Sequence, residues 1–198
     1  IVAKGIVNRP SRLLGSDGQV RRDLSYLFGR HDDQWYLRQF PADGAKLTGE
    51  ISPQYFFLPE EQIARIAQLL PGCKILISLR DPVGWIWSFA RMVMKYGSFG
   101  RFGTLENFVA ARLEGKSFAG SIMMWQSYFG TDHVKVLIYD DLCNEPWSYY
   151  TDICAFLGIE PDPTRKALVS QKVNAGQGGL IDPDQAAFIR RAARSQME

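Results

Sequence analysis

The chain has 198 residues, 46% of them apolar and 13% aromatic, which excludes a disordered protein and suits one α/β domain with a proper core. Its formal charge of +2 is close to neutral, so bulk electrostatics argues against a nucleic-acid partner and any anion site has to be local. No run of eighteen apolar residues occurs, so no transmembrane segment is expected, and no signal peptide opens the sequence.

Residues 1–22 read as loop or frayed helix, with a basic cluster of Arg9, Arg12, Arg21 and Arg22 that could meet an anion but is more simply a solvated charge run. Between Asp23 and Phe40, aromatic and charged residues alternate, and Trp35, Tyr36 and Phe40 share a face at helical spacing. Pro41 to Ala45 is a turn. Lys46 to Ile51 reads as a short strand, with Glu50 near its end and Ser52-Pro53 turning the chain. Pro59-Glu60-Glu61 opens a helix whose apolar face is Ile63, Ile66, Ala67 and Leu70, closed by Pro71-Gly72.

The run Lys74 to Leu79 is an apolar, β-branched stretch of the kind found in buried parallel strands. It stops at Arg80-Asp81-Pro82. Asp81 is a fair N-cap and Pro82 suits the first helical position, so a helix is expected from Val83 to about Tyr96. Arg80 then lies at the carboxyl end of a strand and Ser88 about two turns into the next helix, at the edge where open α/β sheets bind ligands. A guanidinium and a hydroxyl there suit a phosphate. On spacing alone, an Arg pairing with a carboxylate and a Ser facing solvent is the plainer reading.

Downstream, the glycine-rich "YGSFGRFG" reads as a flexible lid or substrate loop. Thr104 caps a helix to Leu113, and a second helix runs from Gly120 to Phe129 with Met123, Met124 and Trp125 inward. Val134 to Tyr139 is another buried strand, followed by Asp140-Asp141; paired acids there raise the question of a metal. Pro146 to Leu157 is a helix closed by Gly158, and a last helix spans Asp182 to Ser195. This strand–helix alternation predicts a parallel sheet with right-handed crossovers. Without repeats or linkers, residues 1–198 form one domain. Cys73, Cys143 and Cys154 have no metal-ligand spacing and cannot all pair, which favours a reducing, cytoplasmic setting; Cys154 reads as a core residue. His31 and His133 are isolated, so a hydrolase triad is not supported.

Three blocks, in order, resemble sulfotransferases that use 3′-phosphoadenosine 5′-phosphosulfate (PAPS). "LRDPVGWIWSF" resembles the 3′-phosphate segment, with Arg80 and Ser88 at the family's interval. "LTGEISPQY" resembles the "GEKTPxY" block of the heparan-sulfate-type and bacterial branches, with Ile51 where that block has Lys. "VKVLIYDDLCNEPWSYYTDICAFLGIEP" resembles the family's strand, acidic-Leu turn and "FLG" helix end. "DQWYLRQFP" corresponds to the "WYxxxF" helix before the Glu block.

The resemblance implies a three-layer α/β fold, a central parallel sheet flanked by helices as in P-loop NTPases. It implies a PAPS-dependent enzyme that sulfurylates a hydroxyl or amine of a carbohydrate, lipid or small molecule and releases adenosine 3′,5′-bisphosphate. Glu50 would be the general base, with a structural carboxylate paired to Lys or Arg as its rival reading. Arg80 and Ser88 would hold the 3′-phosphate, and Lys172 matches a late basic-Gly loop over the donor, though without the Lys-Gly pair. No metal is implied, since sulfuryl transfer needs none.

The family's opening phosphosulfate loop, of the "PKSGTT" kind, is not visible; Lys4-Gly5 is the nearest match. The expectation is a sequence that has lost this loop, the alternative being a degenerate, non-catalytic nucleotide-binding domain on the same scaffold. A P-loop kinase is disfavoured by the lack of "GK[ST]". Acceptor identity and oligomeric state are left open.

Overall fold

In a computed structural model, the described residues are 32–38, 40, 47–171 and 181–194. The elements in order are α1 (Asp33–Arg38), a 3₁₀ turn (Pro53–Phe57), α2 (Glu60–Leu69), β1 (Ile75–Leu79), α3 (Pro82–Lys95), a 3₁₀ turn (Phe99–Phe102), α4 (Leu105–Leu113), α5 (Phe118–Phe129), β2 (Val134–Ile138), α6 (Tyr139–Asn144), α7 (Pro146–Leu157), α8 (Lys166–Val169) and α9 (Pro183–Ala193). They fall into two compact units: residues up to Leu76 with Gln126–Val134, and Ile77–Trp125 with Lys135 onwards.

In the first unit, α1 is tied to α2 by the Arg65 guanidinium, which donates to the Asp33 carboxylate. Tyr128 donates its hydroxyl proton to Glu60 at 2.8 Å. Tyr36 and Phe40 meet edge to face, 5.1 Å between ring centres, as their helical spacing predicts. The strand expected over Lys46–Ile51 is not formed among the described residues. Only Gly49 makes an isolated bridge; glycine weakens a strand, and the Ser52-Pro53 turn follows within three residues.

The second unit is built on α3. Val83, Ile86, Ala90 and Val93 recur every three or four residues and are all buried, packing with Phe108, Val109 and Leu113 of α4 and with Ile189 and Ala193 of α9. β1 and β2 are neighbours in a parallel sheet, with α3, α4 and α5 in the connection between them. Ser78 of β1 is bonded from α7 by Tyr149, whose hydroxyl donates to Ser78 Oγ at 2.8 Å. Lys135 of β2 pairs with Asp152 of α7 at 3.4 Å.

Local chemistry sets the helix ends. Asp81 accepts from the Gly84 amide at 2.8 Å, and Thr104 accepts from the Asn107 amide at 3.2 Å, as expected for N-caps. α5 starts two residues before its expected Gly120 because Ser117 caps it, accepting from the Gly120 amide at 2.9 Å. β2 ends one residue early, since Tyr139 already opens α6, and Asp140-Asp141 occupy that helix's first turn, where carboxylates complement the positive end. α7 closes on Gly158 in the left-handed region, as the sequence predicts.

Two expectations are corrected. Met123 is 62% exposed rather than inward; Trp125 is the residue of α5 that is buried. The "YGSFGRFG" segment is not a free loop. It forms a 3₁₀ turn whose Phe99 and Phe102 rings lie 5.4 and 5.0 Å from Phe108, and Gly103, at φ 72°, supplies the reversal into α4.

Ile86→Ala, at a side chain with no exposure, is expected to cost about 2–5 kcal/mol. Met123→Ala should stay within about 0.5 kcal/mol of the parent. Urea unfolding of the two variants measures both.

Candidate active site

Arg80 follows the last residue of β1 and is half-buried. Its guanidinium carbon lies 4.9 Å from the centre of the Tyr139 ring, at the corresponding end of β2. Parallel strands bring their carboxyl ends together, which is why residues 59 apart meet. The Tyr139 phenol is held above its usual range, first by its hydrogen bond with the Cys143 side chain and then by burial, while Arg80 pulls the other way.

The guanidinium also runs along the first turn of α3. A Cβ placed on Gly84 would sit 3.1 Å from Arg80 Nε and 3.5 Å from one terminal nitrogen. Ser88 is half-buried and lies one turn beyond Gly84 on the same helix face. Arg80, which precedes the Asp81 cap, thus lays its guanidinium over Gly84, and Ser88 follows one turn later on that face of α3.

Beside Arg80 is a cleft of about 330 Å³ lined by Leu79, Pro82, Phe118, Ala119, Ile122 and Ile138, with Arg80, Asp81 and Asp140 as its charged groups. The Asp81 carboxylate is engaged in capping α3. The apolar wall suits a flat organic group, with the Arg80 guanidinium as the cation among the cleft's lining residues.

Glu50 belongs to the first unit. Its partner is a phenol: Tyr36 donates to Glu50 Oε1 at 3.0 Å in half-buried surroundings. Burial first, and then the adjacent carboxylate, push the Tyr36 hydroxyl far above its usual range, so it stays a donor to Glu50 at any ordinary pH. Ile51, where the resembling block has a lysine, is 70% exposed. Lys172, Lys4-Gly5, the cluster Arg9, Arg12, Arg21 and Arg22, and His31 lie outside the described residues.

Three members of these arrangements were not singled out from the sequence. Tyr139 ends the second buried strand as Arg80 ends the first, a signal that was available. Gly84 stands four residues after Arg80 and four before Ser88, a spacing that was also legible. The Tyr36–Glu50 bond joins residues 14 apart across a turn and leaves no local signature.

Because the raised Tyr36 pKa keeps the phenol neutral in the folded state, its contribution to stability is intact below about pH 10 and lost as pH rises above that. Tyr36→Phe should leave the phenolate absorbance rise near pH 10 unchanged, although the chain has eight tyrosines. A smaller rise in the variant would mean that Tyr36 titrates normally.

Residues 16–163 match the model of the sulfotransferase family. A search of curated proteins gives no match. Among solved structures, the chain is similar to a sulfotransferase from Alicyclobacillus acidocaldarius, with TM-score 0.58 and 24% identity over 93% of this chain and 75% of that one. It is also similar to the sulfotransferase domain from the curacin biosynthetic pathway, with TM-score 0.61 and 18% identity over 91% and 74% of the two chains. These likenesses give the fold, the P-loop-like α/β architecture of sulfotransferases. With three quarters of its length under the family model, the chain belongs to the sulfotransferase family, whose members transfer a sulfonate from a donor co-substrate to an acceptor.

Proposed function

We propose that the protein is a PAPS-dependent sulfotransferase acting on a hydroxyl or amine of a carbohydrate, lipid or small-molecule acceptor. The observation that carries this reading is the Arg80 guanidinium at the carboxyl end of β1, lining an apolar cleft and lying over Gly84, one turn before Ser88 on α3. A guanidinium fork and a hydroxyl match the 3′-phosphate, and the positive end of a fourteen-residue helix adds to them. The apolar wall suits a nucleoside better than a bare phosphate.

When bound, PAPS supplies a sulfuryl group already activated on a phosphate leaving group. Arg80 and Ser88 hold the nucleotide by donating to its 3′-phosphate oxygens, and Lys172 adds a cation. Glu50 accepts the acceptor's proton as the new bond to sulfur forms, and Tyr36 fixes the carboxylate for that role through its hydrogen bond. Adenosine 3′,5′-bisphosphate is released. The acceptor class is set by residues other than these.

Calorimetry tests the donor half of the reading. Arg80→Ala should weaken adenosine 3′,5′-bisphosphate about tenfold or more while changing AMP much less. Equal losses for the two nucleotides would count against Arg80 as the 3′-phosphate ligand, and no binding by the parent protein would leave a non-catalytic scaffold in place of the enzyme. For the base, Glu50→Gln should lower transfer by about 10²-fold or more with donor affinity retained; undiminished transfer would refute that role.

A further inference from the structure

We infer that Gly84 is a positioning residue for the donor site: the missing side chain at this position is what lets the Arg80 guanidinium lie against the first turn of α3, one turn before Ser88. The inference rests on the reading of Arg80 as the 3′-phosphate ligand. Gly84 is the third residue of α3, inside a regular turn, where glycine is the least favoured residue after proline and contributes no conformational need of its own. No positive φ requires glycine here, because Gly84 is absent from the residues in that region. Its amide donates to Asp81, a bond any residue except proline would make.

What distinguishes the position is the space above it. A Cβ there would meet Arg80 at Nε, a terminal nitrogen and the guanidinium carbon at 3.1, 3.5 and 3.6 Å, and these are the three nearest atoms. All three belong to one side chain, at its charged end. A methyl group would tilt or lift the guanidinium by a few tenths of an ångström, and a longer side chain would displace it altogether. Tyr139 carries the same guanidinium at 4.9 Å, so a displaced Arg80 would also leave that ring face. Helix stability is thus given up at one residue in exchange for a fixed direction of the donor fork.

The signature is an opposition of signs. Gly84→Ala should raise the thermal midpoint by about 2 °C, since alanine is the better helix residue. It should at the same time lower affinity for adenosine 3′,5′-bisphosphate about threefold, with AMP unchanged; Gly84→Leu should approach the loss given by Arg80→Ala. The double variant Arg80→Ala/Gly84→Leu should bind no worse than Arg80→Ala alone, because the glycine acts only through that arginine. If Arg80→Ala weakens the bisphosphate and neither Gly84 variant does, the positioning role is overturned and the arginine's is not. If the Gly84 variants weaken AMP and the bisphosphate alike, the effect is general damage and the inference fails. If Arg80→Ala itself leaves the bisphosphate unaffected, the reading beneath both fails. Gly84→Ala alone decides the first two cases should the leucine variant not fold.

Discussion

The bond from the Gly84 amide to the Asp81 carboxylate is the constraint from which the site is laid out. It fixes the residue at which β1 gives way to α3, and Pro82, which has no amide hydrogen to satisfy, makes that start abrupt. Shift the start by one residue and every position of α3 rotates by about 100°. The stripe Val83, Ile86, Ala90 and Val93 would leave the core, and Gly84 would turn away from the Arg80 guanidinium. Core packing and the seat of that guanidinium are thus set by the same cap, and the packing of α4 and α9 on α3 holds it in place.

Much of this was legible in the sequence because it is local. β1, the cap, Pro82 and the end of α3 near Tyr96 follow from residues within a turn of one another. So do the Thr104 cap and the Gly158 terminus. What local patterns could not give were the contacts made by folding. Glu50 offers a carboxylate near a turn, and nothing nearby says that its partner is a tyrosine in the preceding helix. The strand expected over Lys46–Ile51 failed for a related reason: β-propensity forms no ladder without a neighbour, and at Gly49 the pairing is a single bridge. Met123 was expected inward together with Trp125, but residues two apart on a helix point about 200° from each other, and Trp125 is the buried one.

The two units contribute different chemistry, and each is internally coherent. The first presents a carboxylate that accepts a hydrogen bond from a phenol kept neutral at any ordinary pH. The second presents a guanidinium with its direction set by a glycine on one element and an aromatic ring on another. Family membership rests on residues 16–163, a span that includes Glu50, Arg80 and Ser88 and stops short of Lys172.

The turn over Phe99–Phe102 carries a consequence for how freely that segment moves. Withdrawing both rings from the side of Phe108 would expose them to water at about 1.5 kcal/mol each, or about 3 kcal/mol together. At that cost a swung-out conformer is held by fewer than about one molecule in a hundred. The glycines around these rings therefore shape a packed reversal into α4 instead of loosening a hinge.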